Sequence, residues 1–475
     1  MKKFLLLFLM STLAGASLMA AGLTRDPNGY EGKNGINIRN LWLKDRIHYN
    51  TNLPNVADWC STSARKAVLC NGIVYISRTG AKQVIPQPGD TIMAAVVYRI
   101  NALTGEELAP LDITLNGEPY SGGTLGANNI GKDNFGHLWL APYTSEKTAT
   151  QPLYQLNPET GELTLLASLD KGSTIARDDY IDLVGDITLE EAECNVMGAN
   201  AAADLSTIYG WHNDQGGDAD TWEGFFGGDP SYDITEFYPE TVTAWSFAPV
   251  TRFVLGEGEE RYSGEYFYID GFTTVPMLYS SDGSIVDGFG NLTQEEMDAD
   301  SLLMPKVGTN GIAEFTLADR NFIAYSIGQY DAPNSCQINV CELGEGMAFN
   351  GMQRYWTLPA DGLGQTSDSG TRIHAIDVEY TTEGGKDAVL LLTFKCYNGV
   401  GVYLIGEGVT PDEPIEVVVP GDVNGDGEVT GSDVTALYNH ILFGQDTEIF
   451  NGDQNGDGEV TGSDVTAVYN IILGL

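Results

Sequence analysis

Acidic side chains recur at a fixed spacing near the end of this chain. The segment GDVNGDGEVTGSDVT begins at Gly421 and returns from Gly452 as GDQNGDGEVTGSDVT, with one letter changed. Numbered from Asp422, the first copy places Asp422, Asn424 and Asp426 at positions 1, 3 and 5, Gly427 at 6, Glu428 at 7, Thr430 at 9 and Asp433 at 12. A hard divalent cation takes roughly six to eight oxygens, and a wrapping loop supplies them from those positions, using the backbone carbonyl at position 7. Glycine at position 6 permits the sharp turn. The second copy repeats the set with Asp453, Asn455, Asp457, Gly458, Glu459, Thr461 and Asp464. Without a cation these carboxylates crowd and repel one another, so the spacing points to calcium as the cofactor. An acidic solvated tail would need neither the glycines nor the periodicity that follows each loop.

After Asp433 the apolar residues Val434, Leu437, Tyr438, Ile441 and Leu442 fall on one helical face, and Val465, Val468, Tyr469, Ile472 and Leu473 repeat it. No helix can enter the first loop, because PDEPIEVVVPG from Pro411 combines three prolines with a β-branched run. Position 12 also carries Asp where the EF-hand has Glu. Loop, exiting helix, short connector and the same again is the organisation of dockerin modules, which tether secreted enzymes to cohesin receptors. The segment from Gly421 to Gly474 resembles a type I dockerin. That resemblance implies calcium ligands at Asp422, Asn424, Asp426, Glu428 (main chain), Thr430 and Asp433. In the second copy it implies Asp453, Asn455, Asp457, Glu459 (main chain), Thr461 and Asp464. It also implies a cohesin-like protein partner. The family's usual recognition positions hold Gly431, Ser432, Tyr438 and Asn439, then Gly462, Ser463, Tyr469 and Asn470, so the frequent basic pair is missing. Near-identical copies would permit two docking orientations related by a pseudo-twofold. Val429 and Val460, at position 8, are expected to couple the loops through a short β-bridge.

The N-terminus, MKKFLLLFLMSTLAGASLMAAG, has two lysines, an apolar run and then small residues, the pattern of a secretory signal peptide. Residues 1–21 are assigned to it, with cleavage after Ala20 or Ala21. No other apolar stretch is long enough to span a membrane, so a secreted, extracellular product is expected. The formal charge of −42 argues against nucleic acid as a partner and favours calcium. Six cysteines, Cys60, Cys70, Cys194, Cys336, Cys341 and Cys396, are too few for a disulfide scaffold. Export would allow Cys60 to pair with Cys70, or Cys336 with Cys341; buried thiols are the alternative.

Residues 22–408 show almost no helical period. Short β-rich runs alternate with Gly, Asn and Asp, as in AVLCNGIVYISR from Ala67 and AVLLLTFKCYNGVGVYLIG from Ala388. Asn71-Gly72 and Asn398-Gly399 are expected as hairpin turns. NIGKDNFGHLWLAP from Asn129 resembles the inner-strand motif of β-propeller blades, in which an Asp and a Gly shape a turn and a Trp enters the core. VVYRINALTGEEL and PLYQLNPETGELTLL, about 55 residues apart, resemble the outer hairpins of such blades. The expected fold is therefore mainly β: a β-propeller-like domain of six or seven blades, a Pro-rich linker over residues 409–420, and a small α-helical dockerin-like module over residues 421–475. The last strands, around Leu390 to Ile405, are expected to pair with Ile36 to Leu43. A pair of β-sandwiches is the alternative, since both folds use short alternating strands.

Catalytic signatures are sparse in this region: there is no G-x-S-x-G, no H-E-x-x-H and no phosphate loop. His212 keeps company with Asp214, Asp218, Asp220, Glu223, Asp229 and Asp233, a set readable as a cation site but preferred as an acidic inter-blade insertion. His374 alternates with Ile373 and Ile376 and is expected as a half-buried histidine with its hydrogen bonds satisfied. Trp211, Trp222, Phe225, Phe226, Tyr232, Phe237, Tyr238 and Trp245 could stack on sugar rings, although core packing is preferred. Two functions compete. One is a secreted non-catalytic binding or surface-assembly protein with a propeller face for a ligand, a glycan being the candidate. The other is a polysaccharide-degrading lyase or glycosidase carrying a dockerin.

Overall fold

Strand alternation dominates the computed structural model, which describes residues 26–45, 58–60, 64–78, 82–87, 90–121, 127–142, 150–170, 180–188, 194–199, 207–213, 223–224, 231–233, 250–253, 266–270, 275–280, 284–305, 311–327, 336–364, 374–412, 421–424, 429–444, 449, 452–455 and 459–473. The chain divides into two units, Met1–Glu413 and Pro414–Leu475. In the larger unit, five sheets are built on antiparallel strands taken in chain order, with first strands Ala64–Cys70, Asn129–Lys132, Tyr180–Gly185, Val250–Phe253 and Ile312–Leu317; the second is extended at its outer edge by the earlier strand Thr114–Leu115, which pairs in parallel with Glu162–Leu169. A further sheet joins the two ends of the unit. His374–Glu383, Lys386–Lys395 and Gly399–Gly406 are completed by Asn37–Asp45, in register from Asn37 opposite Gly406 to Asp45 opposite Gly399. The expected pairing of the last strands with the N-terminal segment is present.

Apolar side chains cluster between neighbouring sheets. Trp139, Leu153 and Ala167 of one sheet meet Ile181, Leu183 and Trp211 of the next, and Phe315 and Ile338 meet Val389 and Tyr403. Trp42, Phe394 and Val400 of the closing sheet pack on Leu69 and Ile76. The first strands also pack on one another, Ala64–Cys70 lying against both His374–Glu383 and Asn129–Lys132. This is a propeller arrangement, in which each sheet buries both faces against its neighbours around a common axis. The two-sandwich alternative is set aside.

Turn chemistry explains where the strands reverse. Asn71 and Gly72 both take left-handed φ values, 50° and 74°, as a two-residue hairpin between twisted strands requires. The outer hairpins share one device. Asn101 Oδ1 accepts the N–H groups of Leu103 and Thr104, and Asn157 Oδ1 accepts those of Glu159 and Thr160. Gly105 and Gly161 then close each turn at φ 71° and 78°. Asn398-Gly399 departs from expectation. Lys395 pairs with Gly399, so the loop is Cys396 to Asn398, with Tyr397 at φ 67°. Glycine at 399 serves close approach instead, since a Cβ there would lie 2.5 Å from the Lys44 carbonyl oxygen of the N-terminal strand.

The described cysteine side chains, Cys60, Cys70, Cys336, Cys341 and Cys396, are buried thiols, and neither expected disulfide forms. Among the described residues no helix is long and apolar enough to cross a membrane. In the smaller unit, helices Gly431–Phe443 and Gly462–Leu473 pack through Val434, Leu437, Val465 and Val468, joined by Val423. Only the first two positions of each expected apolar stripe are buried. Tyr438, Ile441 and Leu442 remain exposed, as do Tyr469, Ile472 and Leu473.

Candidate functional site

Each C-terminal loop is closed by its twelfth residue. Asp433 is fully buried; its Oδ1 accepts the N–H groups of Val423 (2.8 Å) and Asn424 (3.2 Å), and its Oδ2 accepts that of Thr430 (2.8 Å). Asp464 repeats this with Gln454 (2.8 Å), Asn455 (3.1 Å) and Thr461 (2.8 Å). Burial alone would raise both carboxyls, but the backbone donors outweigh it and hold them below the usual carboxylate value. Thr430 also caps the first helix, its hydroxyl accepting the Ser432 N–H while Asp433 accepts the Thr430 N–H. One side chain thus ties loop start, loop end and helix start together. Asp422 is buried. Asn424 donates its amide N–H to Ser432 Oγ at 3.2 Å. Asp426, Glu428 and Asp457 lie outside the described residues. Asn455 and Thr461 repeat the contacts of Asn424 and Thr430, Asn455 donating to Ser463 Oγ at 2.8 Å and Thr461 Oγ1 accepting the Ser463 N–H at 3.3 Å, while Asp453 is half-buried and Glu459 exposed. No β-bridge pairs Val429 with Val460: Val429 approaches the Gly421 backbone, and Val460 packs beside Ile449 at Gly452. The sole letter that differs between copies has a structural use. Val423 is a core residue, whereas Gln454, its counterpart, reaches across to accept the Gly421 N–H at 2.7 Å.

The second concentration of polar groups lies on the propeller axis. A cavity of about 480 Å³ is lined from the first strands of the sheets, with Lys66, Lys132, Asp182, Glu314, Asp377 and Glu379 as its charged members on the strands. Lys132 Nζ donates to Asp377 Oδ2 (3.0 Å) and to the carbonyls of Leu69 (2.5 Å) and Val378 (2.7 Å). Lys66 Nζ donates to the Ile181 carbonyl (2.9 Å) and lies 5.2 Å over the Trp139 ring. Glu379 accepts the Gly72 N–H. Burial raises its carboxyl, and the Gly72 N–H and Lys132 only partly offset this. Burial also pushes the Cys70 thiol up to about 12, so it offers no thiolate.

Residues 420–473 match the Dockerin type I domain. The C-terminal module is a type I dockerin domain. Such a domain binds calcium and docks onto a cohesin. A search of curated proteins finds no match. Solved structures similar to the chain include a DUF4623 family protein from Bacteroides eggerthii, at 10% identity over 81% of this chain and 77% of that one, with a TM-score of 0.48. A protein of unknown function from Bacteroides thetaiotaomicron is similar at 10% identity over 78% and 76% of the two chains, with a TM-score of 0.41. Trypanosoma rangeli sialidase is similar at 9% identity over 73% of this chain, which spans 54% of the sialidase's length, with a TM-score of 0.35.

The donors described in the dockerin loops suit calcium: carboxylate, amide and hydroxyl oxygens, with no sulfur or imidazole. Three other acid or histidine positions resolve differently. His374 is fully buried, with Nδ1 3.1 Å from Ser326 Oγ and Nε2 2.7 Å from Thr393 Oγ1; burial holds it well below the usual imidazole value. Its hydrogen bonds are satisfied, and its burial is complete, not half. Asp133, His137 and Asp186 bring ligand-type atoms within 4.8 Å of one another. They form a turn clamp, because Asp133 already accepts the N–H groups of Phe135, His137 and Ile187, the last from the neighbouring sheet. The Asp of the inner-strand motif therefore holds its own turn and fastens it to the segment after Tyr180–Gly185, while Gly136 takes the turn's left-handed φ of 85°. Trp211 is core, and its indole N–H reaches the Asp170 carbonyl. His212 is half-buried on the strand Thr207–Asn213, opposite Glu223; the side chains of the other members of the acidic and aromatic insertion lie outside the described residues. The axial charges carry one local signal in the sequence, Asp377 and Glu379 alternating within the apolar run IHAIDVEYT.

Proposed function

We propose that this chain is a secreted, non-catalytic binding or surface-assembly protein. Its dockerin module docks it onto a cohesin in a calcium-dependent way, and its propeller recognises a ligand, a glycan being the candidate, at the axial cavity. In this reading residues 1–21 are removed on export, residues 22–408 form a propeller with one blade per sheet of four or more strands, residues 409–420 link it to the module, and residues 421–475 dock. Calcium is held by Asp422, Asn424, Asp426, the Glu428 carbonyl, Thr430 and Asp433 in one loop, and by their counterparts at Asp453, Asn455, Asp457, Glu459, Thr461 and Asp464 in the other. When bound, calcium neutralises the crowded carboxylates and its binding free energy supports the fold. The backbone ties at Asp433 and Asp464 orient the loops around it.

The observation that carries this reading is the duplicated loop and helix with the dockerin match. Surface plasmon resonance of the secreted chain against an immobilised type I cohesin tests it: binding in calcium and its loss in chelator are expected. Equal binding in both conditions, or none in calcium, would sink the docking role. The raised carboxyl of Glu379 beside Asp377 favours a second reading, a lyase or glycosidase with Glu379 as general acid. Product analysis on bound glycans separates the two, since released oligosaccharide would replace the first reading with the second.

A further inference from the structure

The axial cavity combines carboxylates that face it with lysines that are already engaged. All three ammonium protons of Lys132 are matched by Asp377 and the carbonyls of Leu69 and Val378. Lys66 is committed to the Ile181 carbonyl and the Trp139 ring. Five carboxyl groups, Asp133, Asp182, Glu314, Asp377 and Glu379, line the cavity against these two lysines; Lys132 offsets Asp377 and burial raises Glu379, so an anionic ligand meets chiefly Asp182 and Glu314 while both ammonium groups are already committed. Bringing its charge out of water beside like charges is unfavourable. A ligand that carries positive charge gains from the same groups.

The carboxylates are also spread around the wall. Among the described residues, the one trio of metal-capable side chains whose ligand atoms lie within 4.8 Å of one another is the turn clamp of Asp133, His137 and Asp186. Of the cavity's acids only Asp133 belongs to that trio, and its carboxylate accepts the turn's N–H groups; Asp182, Glu314, Asp377 and Glu379 do not converge on a point, as a bare ion would require. At about 480 Å³ the space has the dimensions of a small organic ligand. Tyr380 lines it with a ring that is 51% exposed and whose hydroxyl is fixed by the Thr316 N–H at 3.0 Å. A held aromatic face suits the C–H face of a sugar ring. We propose that the cavity takes an amine-bearing sugar and rejects acidic sugars, an inference that rests on the ligand-recognition reading above.

Calorimetry on the full chain in calcium tests it with three probes: a β-linked glucosamine disaccharide, its N,N′-diacetylated counterpart, and a galacturonic acid disaccharide. The glucosamine disaccharide is expected to bind with a salt-sensitive affinity, and acetylation, which removes the charge but keeps the ring, to weaken it by about tenfold. The galacturonate should give no heat. Asp182→Asn is expected to weaken the amine-bearing sugar by a similar factor and Tyr380→Ala to weaken both non-acidic probes, each in protein whose β signal is unchanged. Should Asp182→Asn fail to fold, the acetylation comparison and Tyr380→Ala still decide. Binding of the galacturonate, or equal binding of the acetylated and free amines, overturns the proposal while leaving saccharide recognition intact. Silence with all three probes overturns the proposal and removes the support for glycan recognition as well.

Discussion

Replacing Asp433 with Asn isolates what the twelfth loop residue does for the protein itself. The carboxylate accepts three backbone N–H groups, from Val423, Asn424 and Thr430, in a fully buried position. An amide of the same shape keeps one acceptor oxygen. At least one N–H then faces an NH₂ group, and the others lose their charge-assisted partner. Hydrogen bonds to charged groups contribute about 1.5–3 kcal/mol each, so the loss should reach about 3 kcal/mol or more. That is a large part of the roughly 5–15 kcal/mol that holds a domain together, and this module has a small core. Urea unfolding of the full chain, followed at the far-ultraviolet helix band to which Gly431–Phe443 and Gly462–Leu473 contribute, should show a lowered midpoint for the helical signal and an unchanged one for the β signal. A helical midpoint equal to wild type at the same calcium concentration would refute the backbone-tie argument.

Chelation of the wild-type chain should abolish the module's helical signal and leave the strand signal, because a two-helix unit of this size gains much of its folding free energy from metal; a circular-dichroism titration showing equal helix content with chelator and with calcium would count against this. Gly131→Ala should destabilise the propeller by about 1–3 kcal/mol, since a Cβ there would lie 2.1 Å from Trp139 Cζ2 inside the core; a thermal unfolding midpoint equal to wild type would show that the indole has room to move. His374 is held below its ordinary value by burial and then by Lys395. Because its folded value is depressed, its contribution is complete above the unfolded value near about 6.5 and falls as pH drops toward the folded one. Urea midpoints measured at about pH 7 and about pH 5.5 should separate for wild type and converge partly in His374→Gln. An unchanged slope in the variant would place the acid sensitivity elsewhere.

What could be read in the sequence is what depends on local chemistry. Asn101 and Asn157 write the same turn because each side chain bonds its own next few N–H groups, and the calcium spacing is visible because one loop contains it. The pairing of Asn37–Asp45 with Gly399–Gly406 could be expected from two unmatched β-rich ends. Asn398-Gly399 misled because the glycine is there for the Lys44 carbonyl, a contact set by the far end of the chain. The axial cavity was hidden for the same reason. Lys66, Lys132, Asp182, Glu314 and Asp377 come from separate strands, and each looks like an ordinary exposed charge until the sheets are placed around one axis.

The duplicated module shows how a near-perfect repeat can differ inside while matching outside. Its one changed letter within the loop repeat is spent internally: Val423 fills the core and Gln454 clasps the Gly421 N–H. The outward pairs keep their equivalence, Tyr438 with Tyr469 at 46% and 47% exposure, Ile441 with Ile472 at 36% and 38%, and Leu442 with Leu473 at 68% and 66%. A protein surface that binds one of these helix faces should therefore accept the other after a half-turn, because the groups it meets are the same in type and in exposure. The pairing breaks at His440, whose counterpart is Ile471, and at the exposed Phe443, whose counterpart is Gly474. Replacing His440 with Ile and Phe443 with Gly restores the match and should bring the two orientations toward equal population on a cohesin, whereas Tyr438→Ala should leave one orientation alone. Crosslinking from cysteines introduced singly at Ser432 and at Ser463 reports the two populations, and a single orientation in every variant would show that surface equivalence does not govern docking.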